Sequence, residues 1–232
     1  MCGRYTQTKS VNQLIERFQV QQIGFEFGPR YNIAPSQPVA TVTEQPGYGR
    51  VLDAFRWGLI PSWAKDESIG YKMINARAET LPEKPSFKIA LLRRRCLIPA
   101  DGFYEWMKEG EGKNARKQPM RIHLKSNEVF SFAGLWDEWT SPDGSPVRTC
   151  TVITTAPNEL MSRIHNRMPA ILRPEDEAAW LDVAGNDRDD VPHLLQMLQP
   201  YPDSELAAHA VSTSVNSPAF DAEGCIEPVE AE

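Results

Sequence analysis

The sequence predicts an α+β protein, a single compact domain built on a mainly antiparallel sheet or barrel with short peripheral helices. Three observations predict it. The middle of the chain alternates apolar and polar residues in short runs punctuated by Gly, Pro and Asp turn signals. Helical periodicity comes only in short stretches. No internal repeat, long linker or low-complexity tract divides the 232 residues, whose 41% hydrophobic content suffices for a substantial core.

Along the chain, Ser10 to Val20 reads as an amphipathic helix, with Val11, Leu14, Ile15 and Phe18 on one face and Ser10 with Gln13 as a capping-box signature. Val39 to Thr43 and Val51 to Trp57 read as strands flanking a turn that holds Pro46, Gly47 and Gly49. A helix is expected from Ser86 to Arg94, where Phe87, Ala90 and Leu91 form a stripe. Arg93, Arg94 and Arg95 then read as either a solvated helix end or a phosphate contact. Met120 to Lys125 alternates as a strand, and Val129 to Leu135 and Val147 to Thr155 are two more, separated by the turn signal Ser141-Pro142-Asp143-Gly144. Short helices are expected from Pro157 to Ile164, Pro174 to Leu181 and Val191 to Leu198, and a last strand from Ala207 to Val211. The domain is expected to span 1–222 with an acidic tail at 223–232, the chain beyond about Phe220 being dispensable.

The net charge of −6 hides an uneven distribution. Residues 1–125 carry 20 Lys/Arg against 12 Asp/Glu, whereas residues 126–232 carry 5 against 19. A basic half can attract a polyanion locally, because exposed charges are screened over about 10 Å at moderate salt. Cys2, Cys96, Cys150 and Cys225 stand far apart with no Cys-x-x-Cys pair, which argues against a zinc site and against a disulfide scaffold. No metal or other cofactor is expected. The chain start lacks a charged and apolar leader, and no apolar run approaches the about 18 residues that cross a bilayer, so a cytoplasmic protein with no membrane partner is expected. A monomer is expected, associated with the nucleoid when bound to DNA.

The most reactive position is Cys2, directly behind Met1. Removal of Met1 would leave an α-amine and a thiol on adjacent carbons, with reference pKa values of about 8 and about 8.5. Such a pair closes a thiazolidine on an aldehyde, or attacks an acyl carbon with the amine as base. Glu105 follows a turn and lies in an aromatic strand, Asp101-Gly102-Phe103-Tyr104-Glu105-Trp106, where partial desolvation would suit proton transfer; a wet strand face is the alternative. His165 ends a short helix beside Asn166-Arg167-Met168-Pro169, whereas His123, His193 and His209 read as structural or solvent-facing. Asn75 and Arg77, two apart on one strand, would aim an amide and a guanidinium at one site. Their alternative is a buried Asn bonding backbone and an Arg paired with Glu79. Trp57 and Trp63 bracket a Gly/Pro turn, and with Pro35 they offer base-stacking surfaces or, alternatively, core.

Six blocks occur in order: Met1-Cys2-Gly3-Arg4-Tyr5, Tyr31-Asn32-Ile33-Ala34-Pro35, Trp57-Gly58 to Trp63, Ile74 to Glu79, Ala100 to Trp106, and His165 to Pro169. A weaker block runs from Val211-Ser212 to Val215-Asn216. Together they resemble the SOS response-associated peptidase (SRAP) family. The resemblance implies a sensor of abasic sites in single-stranded DNA that becomes covalently joined to the lesion through Cys2. It implies Asn75, Glu105 and His165 as the other active-site residues. Arg4, Arg77 and Arg167 would be phosphate partners and Pro35, Trp57 and Trp63 base contacts, with Asn32, Trp106 and Met168 completing the expected DNA-binding set. The family name is read as exposure of Cys2 by loss of Met1, in a peptidase- or lyase-like class. Two other readings stay open: an N-terminal-nucleophile amidohydrolase of glutamine amidotransferase type, and a non-covalent single-stranded DNA binder.

Overall fold

The computed structural model describes residues 2–110, 112 and 116–229. Among these residues the strands in chain order are β1 (Tyr5–Gln7), β2 (Gln22–Ile23), β3 (Arg30–Ile33), β4 (Pro38–Gln45), β5 (Gly49–Trp57), β6 (Asn75–Arg77), β7 (Arg95–Ala100), β8 (Gly102–Glu109), β9 (Arg116–Leu124), β10 (Phe130–Thr140), β11 (Pro146–Thr155), β12 (Met168–Pro169), β13 (Ile171–Leu172) and β14 (Leu206–Ala210). The α-helices are short: α1 (Val11–Phe18), α2 (Lys88–Arg93), α3 (Glu159–Ser162), α4 (Glu177–Leu181) and α5 (Val191–Gln196). None of them is long and apolar enough to cross a membrane. The α+β class expected from the sequence is the class observed.

The strands form two sheets. One runs β14-β9-β8-β1-β3, with each neighbouring pair antiparallel. In the other, β11, β10, β7, β4 and β5 follow one another, and β5 returns to pair in parallel with β11 through Thr149↔Arg56 and Cys150↔Trp57. That last pairing closes a five-stranded barrel, which removes two sheet edges.

Both faces of the barrel wall are covered. One face meets α1, α2, α4 and α5 in a core that includes Leu14, Phe18, Leu91, Leu97, Leu135, Ile153 and Trp180. The other meets the five-stranded sheet in a second core of Tyr5, Phe55, Trp57, Ile98, Phe103, Phe132 and Val152. Strand β7 is therefore buried along its whole length, and its run Arg-Cys-Leu-Ile-Pro-Ala shows none of the alternation that marks a half-wet strand. The turn after β5 needs its glycine: Gly58 has φ +130, and a Cβ there would stand 2.7 Å from the Gly70 carbonyl oxygen.

Several sequence expectations need correction. Arg95 is neither a solvated helix end nor a phosphate contact; it is 2% exposed, and its guanidinium donates to the carbonyls of Leu91 (2.7 Å), Trp180 (2.5 Å) and Asp182. Those are carbonyls that α2 and α4 leave unpaired at their ends, so the cation satisfies them where water is absent. Arg94 pairs instead with Asp137. The helix expected from Pro157 to Ile164 shrinks to α3, which starts at the Asn158 cap. The segment after Phe220 is packed against the rest of the chain as far as residue 229. Asp221 receives the backbone N–H groups of Tyr31 and Asn32, Cys225 is buried, and Pro228 bridges Val211, so the boundary expected at 222 falls inside packed chain. The capping box of α1 forms as expected, with Ser10 and Gln13 exchanging hydrogen bonds of 3.4 and 3.0 Å.

Candidate active site

Cys2 enters the molecule just ahead of β1, the strand between β3 and β8. Tyr5 pairs with Ile33 on one side and Phe103 on the other, while the Tyr104 N–H donates to the Arg4 carbonyl at 2.9 Å. At the far end of β1, Asp101 accepts the hydroxyls of Thr6 and Thr8, each at 2.5 Å, and the Thr8 N–H at 2.7 Å. A short strand is thus clamped at both ends, and Cys2 is delivered to the rim of the second core, where it is fully buried.

Asn75 reaches the same point from the other sheet. Strand β6 lies parallel to β11 with Asn75 opposite Val152, and the Trp57 indole N–H holds the preceding carbonyl, that of Ile74, at 2.8 Å. From there the Asn75 side-chain N–H donates to the Cys2 carbonyl at 2.8 Å. Its side-chain oxygen is buried and has no hydrogen-bond partner among the described residues, leaving an acceptor aimed into the site.

Glu105 is 2% exposed on β8. Burial holds its carboxyl above the usual range, and the charge of His165 works in the opposite direction. Burial likewise drives the Cys2 thiol far above a free cysteine, with the Glu105 charge adding to the rise. The Glu105 charge thus acts on Cys2 and the His165 charge on Glu105, a relation that no spacing in the chain conveys. His165 follows α3 and is half-buried. Its Nδ1 lies 3.1 Å from the Arg167 N–H and 3.4 Å from the Arg167 carbonyl, which fixes the ring against its own loop. The loop is latched by Arg167, whose fork grips both Glu79 oxygens at 2.6 and 2.9 Å and the Thr154 carbonyl at 2.6 Å. The Glu79 partner is therefore Arg167, not Arg77.

The expected DNA-contact residues divide sharply. Asn32, Trp57 and Met168 are each fully buried, and for Trp57 the core alternative is the one observed. Asn32 bonds three carbonyls, those of Val215, Ser217 and Phe220, and Trp57 packs edge-on against Tyr5. Arg4 donates inward to Asn32 (2.8 Å) and to the Val215 carbonyl (2.6 Å). Trp106 is half-buried, its indole N–H on Asn216 at 2.7 Å, and Pro35 is half-buried. Trp63 is 59% exposed beside Lys65 and Lys72. Arg77 is exposed, and no carboxylate forms an ion pair with it among the described residues. Sequence reasoning missed Glu79 as a latch and Asp101 as a clamp. Only its proximity to Thr6 and Thr8 identifies Asp101, and that proximity is tertiary.

Among the described residues no group of three or more His, Cys, Asp or Glu side chains is arranged to hold a metal ion, and the four cysteines are free and buried. Chemically, the arrangement can fix one residue's carbonyl, move a proton through a carboxyl and an imidazole, and exclude water from a thiol.

Comparison with known proteins gives concordant results. The model of the family described as SOS response associated peptidase (SRAP) matches residues 1–218. Abasic site processing protein YoqW of Bacillus subtilis (strain 168) is 51% identical over 229 residues, covering 98% of this chain and 99% of that protein. Abasic site processing protein HMCES of Gallus gallus is 40% identical over 202 residues, covering 78% of this chain and 58% of that longer protein. A crystal structure of a protein from Bacteroides thetaiotaomicron superposes with a TM-score of 0.85 at 27% identity, covering 99% of this chain and 100% of the other.

Proposed function

The chain belongs to the SOS response associated peptidase family, and on that premise we propose that it processes abasic sites in single-stranded DNA by forming a covalent link through Cys2. The observation that carries this reading is the Asn75 hydrogen bond to the carbonyl of the residue that loss of Met1 would expose, with buried Glu105 near enough for its charge to act on the same residue.

An abasic deoxyribose interconverts between a closed hemiacetal and an open aldehyde, and the aldehyde alone reacts with an amine. His165 promotes opening by proton transfer at the ring oxygen. The α-amine of Cys2 then adds to the aldehyde carbon and water leaves as the imine forms. Glu105, held protonated more readily by burial, supplies the proton that departs with that water. The Cys2 sulfur adds to the imine carbon, and its proton passes to the nitrogen, closing a thiazolidine. The net reaction joins aldehyde, amine and thiol with loss of one water. Asn75 holds the Cys2 carbonyl throughout, and its open oxygen orients a sugar hydroxyl or the ring N–H. Arg77 meets a phosphate and Trp63 stacks on a base.

The test is denaturing electrophoresis of the processed protein with abasic single-stranded DNA beside an undamaged control. A band that survives boiling in detergent, appears only with the abasic strand and is lost in Cys2→Ala is expected. An undiminished band in Cys2→Ala refutes the assignment of Cys2. A complex dissolved by salt would support plain binding, and glutaminase activity without crosslinking would support the amidohydrolase reading.

A further inference from the structure

The last described stretch of the chain packs against Arg4, β3 and β8, next to the residues that carry Cys2 and Glu105. Residues 213–216 form a 3-10 turn whose Val215 carbonyl accepts from both Arg4 and Asn32. Next, the carbonyls of Ser217 and Phe220 close on the Asn32 amide at 3.0 and 2.7 Å. Asp221 then receives the N–H groups of Tyr31 (2.5 Å) and Asn32 (2.9 Å) on one oxygen and pairs with Arg30 through the other. The Tyr104 hydroxyl lies 3.1 Å from the Cys225 carbonyl and 2.8 Å from that of Tyr31. At the end, His209 lies 3.0 Å from the Ile226 carbonyl and the Val229 N–H donates to Ala210 at 2.9 Å. The segment from Ala219 onward lies past the last residue the family model matches.

These contacts have a direction. With three carbonyls gathered around its amide nitrogen, Asn32 can turn only its oxygen toward Arg4, because a flipped amide would set oxygen against oxygen. Arg4 therefore owes its two acceptors to the strap, one directly at Val215 and one through the orientation of Asn32. Arg4 stands two residues from Cys2, and the Tyr104 that bonds the Arg4 carbonyl immediately precedes Glu105. We propose that residues 212–229 form a strap that positions the Cys2 segment, with Asp221 and Asn32 as positioning residues acting through Arg4. The inference rests on the assignment of Cys2 as the reacting residue.

The test uses the full-length processed protein and its Asp221→Ala and Asp221→Asn variants. Two rates are read: single-turnover crosslinking to an abasic single-stranded oligonucleotide at saturating protein, and capture of glyoxylate by the N-terminal cysteine, followed by intact mass. Asp221→Ala is expected to slow both by about tenfold, since misplacing a reacting group by an ångström costs up to about 100-fold. Affinity for an undamaged oligonucleotide is expected to stay at the wild-type value. Asp221→Asn retains an oxygen that accepts from Tyr31 and Asn32 but turns its NH2 toward Arg30 and loses that ion pair, so it is expected to slow both rates less than Asp221→Ala does. Wild-type rates in Asp221→Ala overturn the strap, and so does a loss matched by an equal loss of affinity for undamaged DNA. Equal slowing in both variants overturns the hydrogen-bond route through Tyr31 and Asn32. If Asp221→Ala fails to accumulate as folded protein, Tyr104→Phe carries the test, because it deletes one hydroxyl: slower capture of both electrophiles supports the strap, and unchanged capture overturns it. A wild type that captures glyoxylate yet leaves abasic DNA uncrosslinked refutes the substrate reading alone, and the glyoxylate rates still decide the strap.

Discussion

Replacing Asn75 by Ala isolates the direct hydrogen bond that reaches Cys2 from the opposite sheet. The deletion removes a 2.8 Å bond to the carbonyl of a fully buried residue. A buried acceptor stripped of its partner costs about 1–3 kcal/mol. At about 1.4 kcal/mol per tenfold, that range corresponds to about a 5- to 150-fold slower crosslinking step if the whole loss falls on the reactive geometry. The open Asn75 oxygen disappears as well, so the sugar loses an acceptor, and the upper part of the range is the expected one. Asn75→Asp keeps the shape but turns an oxygen toward the Cys2 carbonyl, and it is expected to be at least as slow. The assay is single-turnover crosslinking at saturating protein, with thermal melting to fix the folded fraction. An Asn75→Ala protein that is folded and crosslinks as fast as wild type would refute the claim that this bond sets the geometry of Cys2.

Glu105→Gln should change stability with pH in a defined sense. Burial raises the folded-state value above the unfolded 4.5, so the contribution of the protonated carboxyl is fully present below 4.5 and is lost as pH rises through the raised value. The melting temperature of the Gln variant relative to wild type should therefore climb between acidic and alkaline buffers; a constant difference would contradict the burial argument. Glu177→Ala leaves Arg17 and Ser131 facing an empty buried site, since Glu177 is 2% exposed and receives Arg17 at 2.8 and 2.9 Å. Denaturant unfolding should show a loss of about 1–3 kcal/mol, since Arg17 keeps some access to water, while the crosslinking rate per folded molecule stays unchanged. Trp63→Ala, at an exposed ring, should weaken binding to undamaged single strands by about 1–3 kcal/mol, read by fluorescence anisotropy, with no change in melting temperature. Equal affinity in that variant would place the DNA path elsewhere.

Legibility in the sequence followed the physics of exposure. The strands β4, β5, β9, β10 and β11 announce themselves because turn residues bound them and β-branched or aromatic residues recur along most of them. By contrast β7 hides behind three arginines and a proline, and being buried on both faces it carries no alternation. Arg95 misleads for the same reason: a guanidinium placed in the core to cap helix carbonyls looks, in one dimension, like any other surface cation. At the site, Cys2, Asn75, Glu105 and His165 were nameable from residue type and from family resemblance. The burial that raises the Glu105 carboxyl and the Cys2 thiol above their ordinary ranges was not. For Trp57 the sequence left a stacking surface and core packing open, and the ring is spent inside, holding the carbonyl before Asn75.

By itself the sequence determined the α+β class, the family, the chemistry available at Cys2 and the capping of α1, because each depends on residue type or on neighbours within a few positions. Only the tertiary structure decided that the barrel closes between β5 and β11, that Glu79 latches Arg167, and that the chain beyond Phe220 reaches back to Asn32 and Arg4. Those are pairings between groups distant along the chain. Their partners are chosen by which polar atoms are left without water when the two cores form, and that is settled in space rather than along the backbone.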